Sequence, residues 1–324
     1  MPEISVVIPV YNGEKYILRC LEMFSAQTEV NFELIFVDDG SKDNSRELLD
    51  QAKALFEHCI ILHKENGGVS SARNYGLSVV GGQFVVFADI DDLWDPEYLE
   101  KLLNCYKTSN VDLTICGYRN VDMNGLECFR FQPKEAILDK NRLMKNALKY
   151  RNINIALWNK MFRMDIIKEN SIRFNEDLSI GEDMVFLLEY CTYLQKAKVI
   201  PDCLYSYTQN PNGAMLNRKS AVTFDKKWIS EWYAIQFAES ILREDVAECE
   251  NMLRRKKVRV ADKLLSLMVH FGYQDKMLRK QLVSCLRNNI FVCLAADDID
   301  LSRKLGICLN SVSPYLCHAI KNLK

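Results

Sequence analysis

The fold class is decided by the segment Phe84-Val85-Val86-Phe87-Ala88-Asp89-Ile90-Asp91-Asp92. Its β-branched and aromatic residues follow Gly81-Gly82 and predict a strand that is buried on both faces, as in a parallel sheet. The strand delivers three carboxylates to its carboxyl end. Carboxylates this close together raise one another's pKa unless a cation lies between them, and a divalent metal ion is the usual solution. Alternation along an extended segment puts Asp89 and Asp91 on the same side, so both can reach one metal ion or ligand.

Short β-rich runs alternate with helical patterns on both sides of this segment. The strand that begins at Ile4 ends at the turn Asn12-Gly13, and Asp38-Asp39 follows the second strand. Units of this size in strict alternation predict an α/β fold with a mostly parallel sheet flanked by helices, and such sheets bind ligands at the carboxyl ends of their strands. The predicted strands begin at residues 4, 32, 59 and 84, and the predicted helices cover 14–27, about 48–56 and 70–80.

Bulk composition is that of an ordinary soluble globular protein. The chain has 324 residues, of which 48% are hydrophobic and 26% charged. Its 12 cysteines are scattered without a Cys-x-x-Cys pair, and no secretory leader precedes Glu3, so we expect reduced thiols in a cytosolic protein. No apolar run approaches the roughly 18 residues needed to span a bilayer. We therefore expect a cytoplasmic protein that can touch a membrane without crossing it.

The two parts of the chain carry opposite charge. Residues 1–215 hold 23 basic and 31 acidic residues, whereas residues 216–324 hold 19 and 12, a charge of −8 against +7. The texture changes at the same place, from alternating strands and helices to an almost wholly helical pattern. We therefore predict an α/β domain over 1–215 and a helical C-terminal region over 216–324, with the boundary at the Pro- and Gly-containing loop 209–213.

Polar side chains follow several of the predicted strands. Pro9-Val10-Tyr11 offers an aromatic face, Asp38-Asp39 an acceptor pair, and Asn66-Gly67-Gly68 a loop that permits close backbone approach. Arg73 lies one turn into the next helix, where it can pair with an anion held at the positive end of that helix. A dinucleotide dehydrogenase needs Gly-x-Gly-x-x-Gly in its first βα turn, and Tyr11-Asn12-Gly13 does not supply it.

Six motifs occur in order between residue 4 and about residue 207. They are Val-Ile-Pro-Val-Tyr-Asn (7–12), Val-Asp-Asp-Gly-Ser (37–41), Asn-Gly-Gly-Val-Ser-Ser-Ala-Arg-Asn (66–74), Ala-Asp-Ile-Asp-Asp (88–92), Trp-Asn-Lys (158–160) and Gly-Glu-Asp (181–183). Together they resemble the inverting family 2 glycosyltransferases with the Rossmann-like GT-A fold, of the kind that builds bacterial polysaccharides. The last third of the chain has no counterpart in these motifs.

The resemblance implies a UDP-sugar donor and assigns residues to it. Tyr11 would stack on the uracil, and Asp39 would accept a hydrogen bond from the imide N–H of the base. Asp89 would face the ribose and diphosphate, and Asp91 would bind the metal ion, with Asp92 bonded only to nearby backbone. Pro9, Asn66 and Arg73 lie in the same motifs and are assigned to the donor as well. Two alternatives stay open: Tyr11 as an aromatic cover of the core, and Arg73 as a surface helix arginine.

The implied chemistry requires these residue types. Departure of a nucleoside diphosphate develops negative charge, which Mn²⁺ or Mg²⁺ held by Asp91 and Asp89 can stabilise by several kcal/mol. The acceptor hydroxyl needs a positioned general base, worth roughly a hundred- to ten-thousand-fold in rate. By resemblance the base is Asp183, and Glu182 binds the acceptor or the transferred sugar. Both acids also suit the start of a helix, so capping is the alternative interpretation.

The segment 116–163 is expected to shape the acceptor pocket. Asn124-Gly125 lies at the centre of a predicted β-hairpin over 117–131. Trp158 is predicted either to stack on a sugar ring or to pack under the sheet. Lys160 is similar to a family lysine and is expected to face the diphosphate or acceptor. Many relatives carry an arginine soon after a Tyr-x-Tyr pair; this chain does not, and Arg218 is the expected substitute.

Two other functions compete with sugar transfer. A sugar nucleotidyltransferase has a similar sheet but needs a glycine-rich, basic loop after its first strand, where this chain has Tyr11-Asn12-Gly13-Glu14. A catalytically inactive sugar-binding relative would not need the intact carboxylates. The expected partners are therefore a UDP-sugar and a glycan or lipid-linked acceptor, and no nucleic acid.

The C-terminal region is expected to contact a membrane. It contains the basic run Arg254-Arg255-Lys256-Lys257 and several apolar helical patterns. Packing against the α/β domain explains the apolar faces, because isolated helices need tertiary burial. It does not explain the positive charge, which anionic lipid would attract by about 1 kcal/mol per basic residue. We therefore predict peripheral attachment at the inner face of the cell membrane.

Overall fold

The computed structural model describes residues 1–29, 31–53, 56, 58–149, 153–210, 221–242, 247–295 and 300–321. In this part of the chain, ten strands form one sheet and twelve α-helices surround it or follow it. The prediction of an α/β fold with a helical C-terminal region is confirmed. Arg218 lies outside the described residues, and so do residues 211–213 of the predicted boundary loop.

The element bounds agree closely with the predicted alternation. The strands are β1 (Ile4–Val10), β2 (Phe32–Asp38), β3 (Cys59–His63), β4 (Phe84–Phe87), β5 (Leu93–Trp94), β6 (Leu113–Val121), β7 (Glu127–Phe131), β8 (Ala136–Asp139), β9 (Lys160–Arg163) and β10 (Lys196–Thr208). The helices are α1 (Glu14–Ser25), α2 (Ser45–Ala52), α3 (Val69–Leu77), α4 (Tyr98–Thr108), α5 (Lys140–Leu148), α6 (Met164–Glu169), α7 (Glu182–Tyr193), α8 (Ser230–Ile241), α9 (Ala247–His270), α10 (Lys276–Leu294), α11 (Leu301–Val312) and α12 (Pro314–Lys321).

The sheet is parallel on one side and mixed on the other. The strand order is β3-β2-β1-β4-β9-β6-β10-β5, with β7 on β6 and β8 on β10. The pairs among β3, β2, β1 and β4 are parallel, and β9 runs antiparallel to both of its neighbours. The predicted hairpin is confirmed, because β6 pairs with β7 antiparallel and Gly125 in the turn has a φ of +81°. The carboxyl ends of the four parallel strands meet at one edge, which is where the predicted donor residues follow them.

Pro9 opens the sheet at this edge. The parallel pairing of β1 with β4 ends at Val7 and Phe87, after the Ala88 N–H donates to the Val7 carbonyl at 3.0 Å. Pro9 is the next β1 residue facing β4, and it has no N–H to continue the ladder. Pairing of β1 with β2 continues on the other side as far as Val10 and Asp38. The end of β1 therefore separates from β4, and the chain reaches Tyr11 at this opening.

The helical C-terminal region packs directly on the α/β part. Helix α8 packs against α7, and α9 packs against α5, α8 and α10. One buried apolar cluster runs through both parts, and it includes Phe186 on α7, Ile235 on α8 and Leu264 on α9. Apolar burial of this kind is the main source of helix stability in proteins. The packing interpretation of the apolar faces is therefore confirmed.

The prediction that residues 254–257 on α9 form an exposed basic surface is wrong. Of the four residues 254–257, only Arg254 is exposed, and its Nη2 pairs with Glu250 at 2.5 Å. Lys257 pairs with Glu239 at 2.6 Å, and Lys256 is so buried that its pKa is lowered. The sequence pattern misled because α9 is a central helix of the region rather than a surface helix. Among the described residues, no helix is both long and apolar enough to span a bilayer. All twelve cysteines lie among the described residues, and none of them forms a disulfide bond.

Candidate functional site

Tyr11 and Asp39 lie side by side at the carboxyl edge of the parallel strands. The Asp39 N–H donates to the Val10 carbonyl at 2.8 Å, so the residues after β1 and β2 are joined. The ring of Tyr11 is 49% exposed. An aromatic side chain covering the core would be buried, so the exposed ring fits a ligand-stacking residue better. Asn12, with a φ of +51°, turns the chain away behind it.

Asp39 orders the glycine loop that follows β3. Its Oδ1 accepts hydrogen bonds from Lys64 Nζ at 2.8 Å and the Gly67 N–H at 2.9 Å, and its Oδ2 accepts from the Gly68 N–H at 2.8 Å. Asn66 donates to the Asp39 carbonyl at 2.8 Å, which positions the loop from the other side. Gly68 has a φ of +87°, a conformation that favours glycine. A carboxylate has about four acceptor positions, so among the described residues one position on Oδ2 remains for an N–H donor of a ligand.

The acidic residues after β4 form a turn. The Asp92 N–H donates to the Asp89 carbonyl at 3.1 Å, so the predicted extended arrangement of Asp89 and Asp91 is wrong. The two carboxylates nevertheless interact: burial, and then the negative charge of Asp89, raise the pKa of Asp91. Asp91 Oδ2 also accepts from Asn210 at 3.3 Å. The turn therefore brings the carboxylates of Asp89 and Asp91 close together, although the sequence predicted their proximity from alternation along an extended segment.

Asp92 points away from the site and anchors the end of β10. It is fully buried and accepts hydrogen bonds from the Tyr205 hydroxyl at 2.5 Å and the Thr208 N–H at 2.7 Å. Burial raises its pKa well above the usual value. This side chain fixes the position of the segment that carries Asn210 to Asp91. Sequence reasoning found neither Asn210 nor this anchor, because both contacts span more than 110 positions along the chain.

Arg73 is the centre of the site. Its Nη2 donates to Asp89 Oδ1 at 3.1 Å, and its Nη1 donates to Asp183 Oδ1 at 2.7 Å and to Glu182 Oε1 at 3.4 Å. Only 5% of the side chain is exposed. The alternative interpretation as a surface helix arginine is therefore wrong. The guanidinium also lies over the ring of Phe174, 5.3 Å from its centroid, a contact that nothing in the sequence indicated.

The charges of this cluster are set by burial and by mutual pairing. Burial raises the pKa of Asp183, and the positive charge of Arg73 opposes that increase. Burial and the neighbouring Asp183 raise the pKa of Glu182 to about 7. Burial by itself lowers the pKa of Arg73, but the three carboxylates raise it overall, so the guanidinium stays charged. Among the described residues no hydrogen bond reaches Asp183 Oδ2, and this atom can accept a proton.

Trp158 is a packing residue in this structure. It is 6% exposed, and its ring lies 4.4 Å from that of Tyr205 at an interplanar angle of 12°. A second stacked contact joins it to Tyr207 at 5.9 Å. The prediction that Trp158 stacks on a sugar ring is therefore wrong, and the packing alternative holds. The reason is that β10 brings its two tyrosines directly against the start of β9.

Lys160 is buried and fully occupied. Its Nζ donates to the carbonyls of Asn154 at 2.7 Å and Ala156 at 2.6 Å and to Asn159 Oδ1 at 2.8 Å. The residue has no exposed surface, so the prediction that it faces the diphosphate or acceptor is wrong. Burial lowers the pKa of Lys160 to about 7. Three acceptors nevertheless need three N–H donors, which only the protonated amine supplies, and the contacts are those of the ammonium form.

Asp91 and Asp89 are the side chains that could hold a divalent metal ion. A cation beside this pair would offset both the burial of Asp91 and its repulsion by Asp89, the two effects that raise its pKa. Within the described ranges, no group of three or more His, Cys, Asp or Glu residues forms a metal site. Mg²⁺ commonly takes one or two carboxylates together with substrate phosphates instead of a protein cage. The pair fits that mode of binding.

Comparison with known sequences identifies relatives of this chain. Residues 5–170 match the family described as glycosyl transferase family 2. The chain is 30% identical over 216 residues to the putative glycosyltransferase EpsH of Bacillus subtilis, and the match covers 64% of this chain and 60% of EpsH. It is also 30% identical over 216 residues to the poly(ribitol-phosphate) beta-glucosyltransferase of Bacillus spizizenii, covering 65% and 33%. The matches thus span less than two thirds of the length of these relatives.

Solved structures with low sequence identity share the fold. Staphylococcus aureus TarS 1–349 in complex with UDP-GlcNAc matches with a TM-score of 0.70 at 19% identity, covering 100% of this chain and 92% of that chain. The mannosyltransferase PcManGT from Pyrobaculum calidifontis, in complex with GDP-Man and Mn²⁺, matches with a TM-score of 0.57 at 15% identity, covering 99% and 87%. The GT-A fold is therefore confirmed. The TarS match includes the C-terminal helices, for which the sequence motifs offered no counterpart.

Proposed function

Since this chain belongs to glycosyl transferase family 2, we propose that it moves a sugar from a UDP-sugar to an acceptor hydroxyl of a growing cell-surface polysaccharide. The displacement is a single step that inverts the anomeric carbon. UDP is favoured as the carrier because TarS, which shares the fold, was solved with UDP and with UDP-GlcNAc. The acceptor is a glycan, free or lipid-linked.

One observation carries the proposal. A single buried guanidinium, that of Arg73, bonds at once to Asp89 on the donor side and to Asp183 on the acceptor side. A single displacement requires that the leaving group and the base stand on opposite sides of the reacting carbon. Arg73 fixes the separation of the two carboxylates, and its positive charge opposes the increase that burial causes in the pKa of Asp183. This arrangement serves sugar transfer and has no use in a protein that only binds sugar.

Asp183 acts as the general base in this proposal. Arg73 holds Oδ1, which directs Oδ2 to the acceptor hydroxyl, and Oδ2 takes the proton as the hydroxyl oxygen attacks the anomeric carbon. The raised pKa of Asp183 brings the base closer to neutral pH, where proton transfer is most effective. Glu182, 13% exposed beside it, binds a hydroxyl of the acceptor or of the transferred sugar.

The donor lies between the exposed ring of Tyr11 and the turn at Asp89. Tyr11 stacks on the base, and the free acceptor position of Asp39 takes the imide N–H. Asp91 and Asp89 would hold a divalent ion, Mn²⁺ or Mg²⁺, and such an ion would supply positive charge to stabilise a diphosphate. PcManGT, solved with GDP-Man and Mn²⁺, supports a metal ion in this fold. Pro9 keeps the strands apart where the diphosphate enters.

Peripheral membrane contact is part of the proposal, with residues that differ from those first predicted. Leu301, Leu305 and Val312 on α11 are 73%, 57% and 71% exposed, and Arg303 beside them is exposed as well. Apolar side chains with adjacent positive charge suit the surface of an anionic bilayer. Such contact would place a lipid-linked acceptor near the site.

Release of UDP from a panel of UDP-sugars, with and without Mn²⁺, tests the proposed function. A glycosyltransferase hydrolyses its own donor slowly when no acceptor is present, so we expect metal-dependent UDP release from at least one member. A sugar nucleotidyltransferase would instead release pyrophosphate from a nucleoside triphosphate and a sugar phosphate. An inactive relative would bind UDP without turnover, and either result contradicts the proposal.

A further inference from the structure

A groove with a volume of about 340 Å³ is lined in part by residues five and six positions before the candidate base Asp183 in the chain. Helix α8 supplies one wall, and the loop before α7 supplies the other. The lining residues are Asp177, Leu178, Tyr233, Gln236, Phe237 and Ser240. The four helix residues are spaced i, i+3, i+4 and i+7, so they share one face of α8.

The loop wall of the groove contacts both the helix that carries Arg73 and the start of α8. The Ser70 hydroxyl, on the helix that carries Arg73, donates to the Leu178 carbonyl at 3.3 Å. Ser230 at the start of α8 accepts from the N–H groups of Ser179 and Ile180 at 2.8 and 3.2 Å. The loop that forms one wall of the groove therefore continues directly into Glu182 and Asp183.

The side chains of the groove match the surface of a sugar ring. Tyr233 and Phe237 are 49% and 44% exposed, although aromatic rings of this size are usually buried in a stable fold. A pyranose has an apolar face of C–H groups and a rim of hydroxyls. Aromatic faces suit the first, and the amide of Gln236, the hydroxyl of Ser240 and the carboxylate of Asp177 suit the second.

The charge of the groove distinguishes between kinds of acceptor. Among the described residues that line it, the only ionisable group besides tyrosine is the carboxylate of Asp177, and none is cationic. Phosphodiester groups are recognised by Arg, Lys or backbone N–H groups, and a carboxylate repels them. The larger neighbouring groove, with a volume of about 770 Å³, is lined by Lys64 and Arg173 as well as by Glu176 and is the more cationic of the two.

We propose that the α8 groove is an acceptor subsite that binds sugar units of an uncharged glycan chain behind the hydroxyl that is glycosylated. This inference rests on the proposed function, because it takes Asp183 as the base toward which the acceptor points. It adds the acceptor class: a neutral glycan rather than a phosphate-linked polymer. Tyr233 and Phe237 stack on the sugar rings, and Gln236 and Asp177 accept or donate hydrogen bonds at their rims.

Saturation-transfer NMR on the full chain tests the subsite without turnover. The probes are cellotetraose, maltotetraose, chitotetraose and short ribitol-phosphate oligomers. We expect a signal from at least one neutral tetrasaccharide and its loss, by at least about tenfold in affinity, in Tyr233→Ala and in Phe237→Ala. The matched control Tyr193→Ala removes an equally exposed tyrosine at the far end of α7 and retains the signal.

Four results would overturn the subsite: no signal from any neutral tetrasaccharide, an unchanged signal in both groove variants, a stronger signal from ribitol phosphate, or loss of the signal in Tyr75→Ala, which alters the other groove. UDP affinity measured on the same samples shows that the variants are folded and keep the donor site. Failure of the proposed function is seen separately, as absence of UDP release from every UDP-sugar by the unaltered protein. Loss of tetrasaccharide binding in the groove variants together with UDP release supports the acceptor subsite, whereas the same loss without UDP release would show a glycan-binding groove and contradict the proposed function.

Discussion

Arg73 and Asp183 are 110 positions apart in the chain, yet Nη1 of the arginine donates to Oδ1 of the aspartate at 2.7 Å. The bond joins the middle of α3 to the start of α7, so it ties the segment that carries the proposed donor residues to the segment that carries the proposed base. It also fixes which carboxylate oxygen is left for an acceptor. The predictions below depend on this pairing and on its neighbours.

Asp183→Asn separates chemistry from donor binding. The amide cannot take a proton from the acceptor, so we expect kcat to fall by a factor of about 10² to 10⁴, while the affinity for UDP stays close to that of the unaltered protein. Asp91→Ala is the comparison, since loss of the metal-binding carboxylate should weaken metal-dependent UDP binding and turnover together. Calorimetry with UDP and Mn²⁺ and initial rates measure both. Equal loss of UDP affinity in the two variants would contradict the assigned roles.

The activity of the unaltered protein should fall as the pH falls. The base must be unprotonated, and burial raises the pKa of Asp183, so protonation begins at a higher pH than for an ordinary aspartate. The adjacent Glu182, whose pKa is raised to about 7, is charged above that pH and then repels the Asp183 carboxylate. Glu182→Gln removes a neighbouring negative charge, so the acid limb should move to lower pH. A pH profile of kcat/KM checks this, and an acid limb that stays in place would contradict the coupling.

Arg73→Lys should damage catalysis although the positive charge is kept. A lysine amine cannot reach Asp89 and Asp183 with the planar geometry of a guanidinium. A misplaced base costs about a hundredfold in rate, and weaker pairing raises the pKa of Asp183 further, which moves the acid limb to higher pH. Arg173→Lys, on the nearby exposed loop, is the control. Retention of both the rate and the pH profile in Arg73→Lys would show that the bridging geometry is unimportant.

Lys160→Met should lower stability and leave donor binding intact. The substitution removes the donors to the Asn154 and Ala156 carbonyls, at a cost of roughly 1–3 kcal/mol for each acceptor left without a partner. The free energy of unfolding, measured in urea, should therefore fall relative to the exposed control Lys168→Met. UDP affinity at a temperature where the variant is folded should match the control. A selective loss of UDP affinity would restore the diphosphate-binding role that the structure argues against.

Binding to anionic vesicles should depend on α11. We expect co-sedimentation with vesicles that contain anionic lipid, a decrease at high salt because the charge is screened, and a further decrease when Leu301, Leu305 and Val312 become Gln. Val222→Gln, at a residue that is 91% exposed outside this helix, is the control. Binding that is unaffected by the three changes would remove α11 from the proposal.

The parallel half of the sheet was predictable because its information is local. A strand such as β4 is buried on both faces, so its apolar run alone reveals it, and the acidic turn after it follows within five residues. The position of Asp39 at the end of β2 was predictable for the same reason. The three hydrogen bonds that its carboxylate accepts were not predictable from the sequence, because their donors lie in a loop about 25 to 29 positions away.

Lys160 and Trp158 show where prediction from sequence fails. A lysine and a tryptophan in a motif suggest ligand contacts, since both types can recognise phosphate or sugar. Whether they do so depends on how β10 packs on the start of β9, and that packing is set by tertiary contacts with Tyr205 and Tyr207. The prediction of a basic surface at residues 254–257 failed for the same reason, because a run of charged residues does not show which face of the helix is covered by its neighbours.

Gly181, with a φ of +94°, stands immediately before the two acids at the start of α7, and a Cβ at this position would lie 2.6 Å from the Cβ of Ala234 on α8. The backbone that orients Asp183 is therefore pressed against the C-terminal helices. A chain shortened to residues 1–215 would lose this support and would expose the apolar side of α7 to water. Engineering a minimal catalytic fragment by removing the helical region should for this reason yield an insoluble product, and swapping that region between relatives requires that the residue facing Gly181 remain as small as alanine.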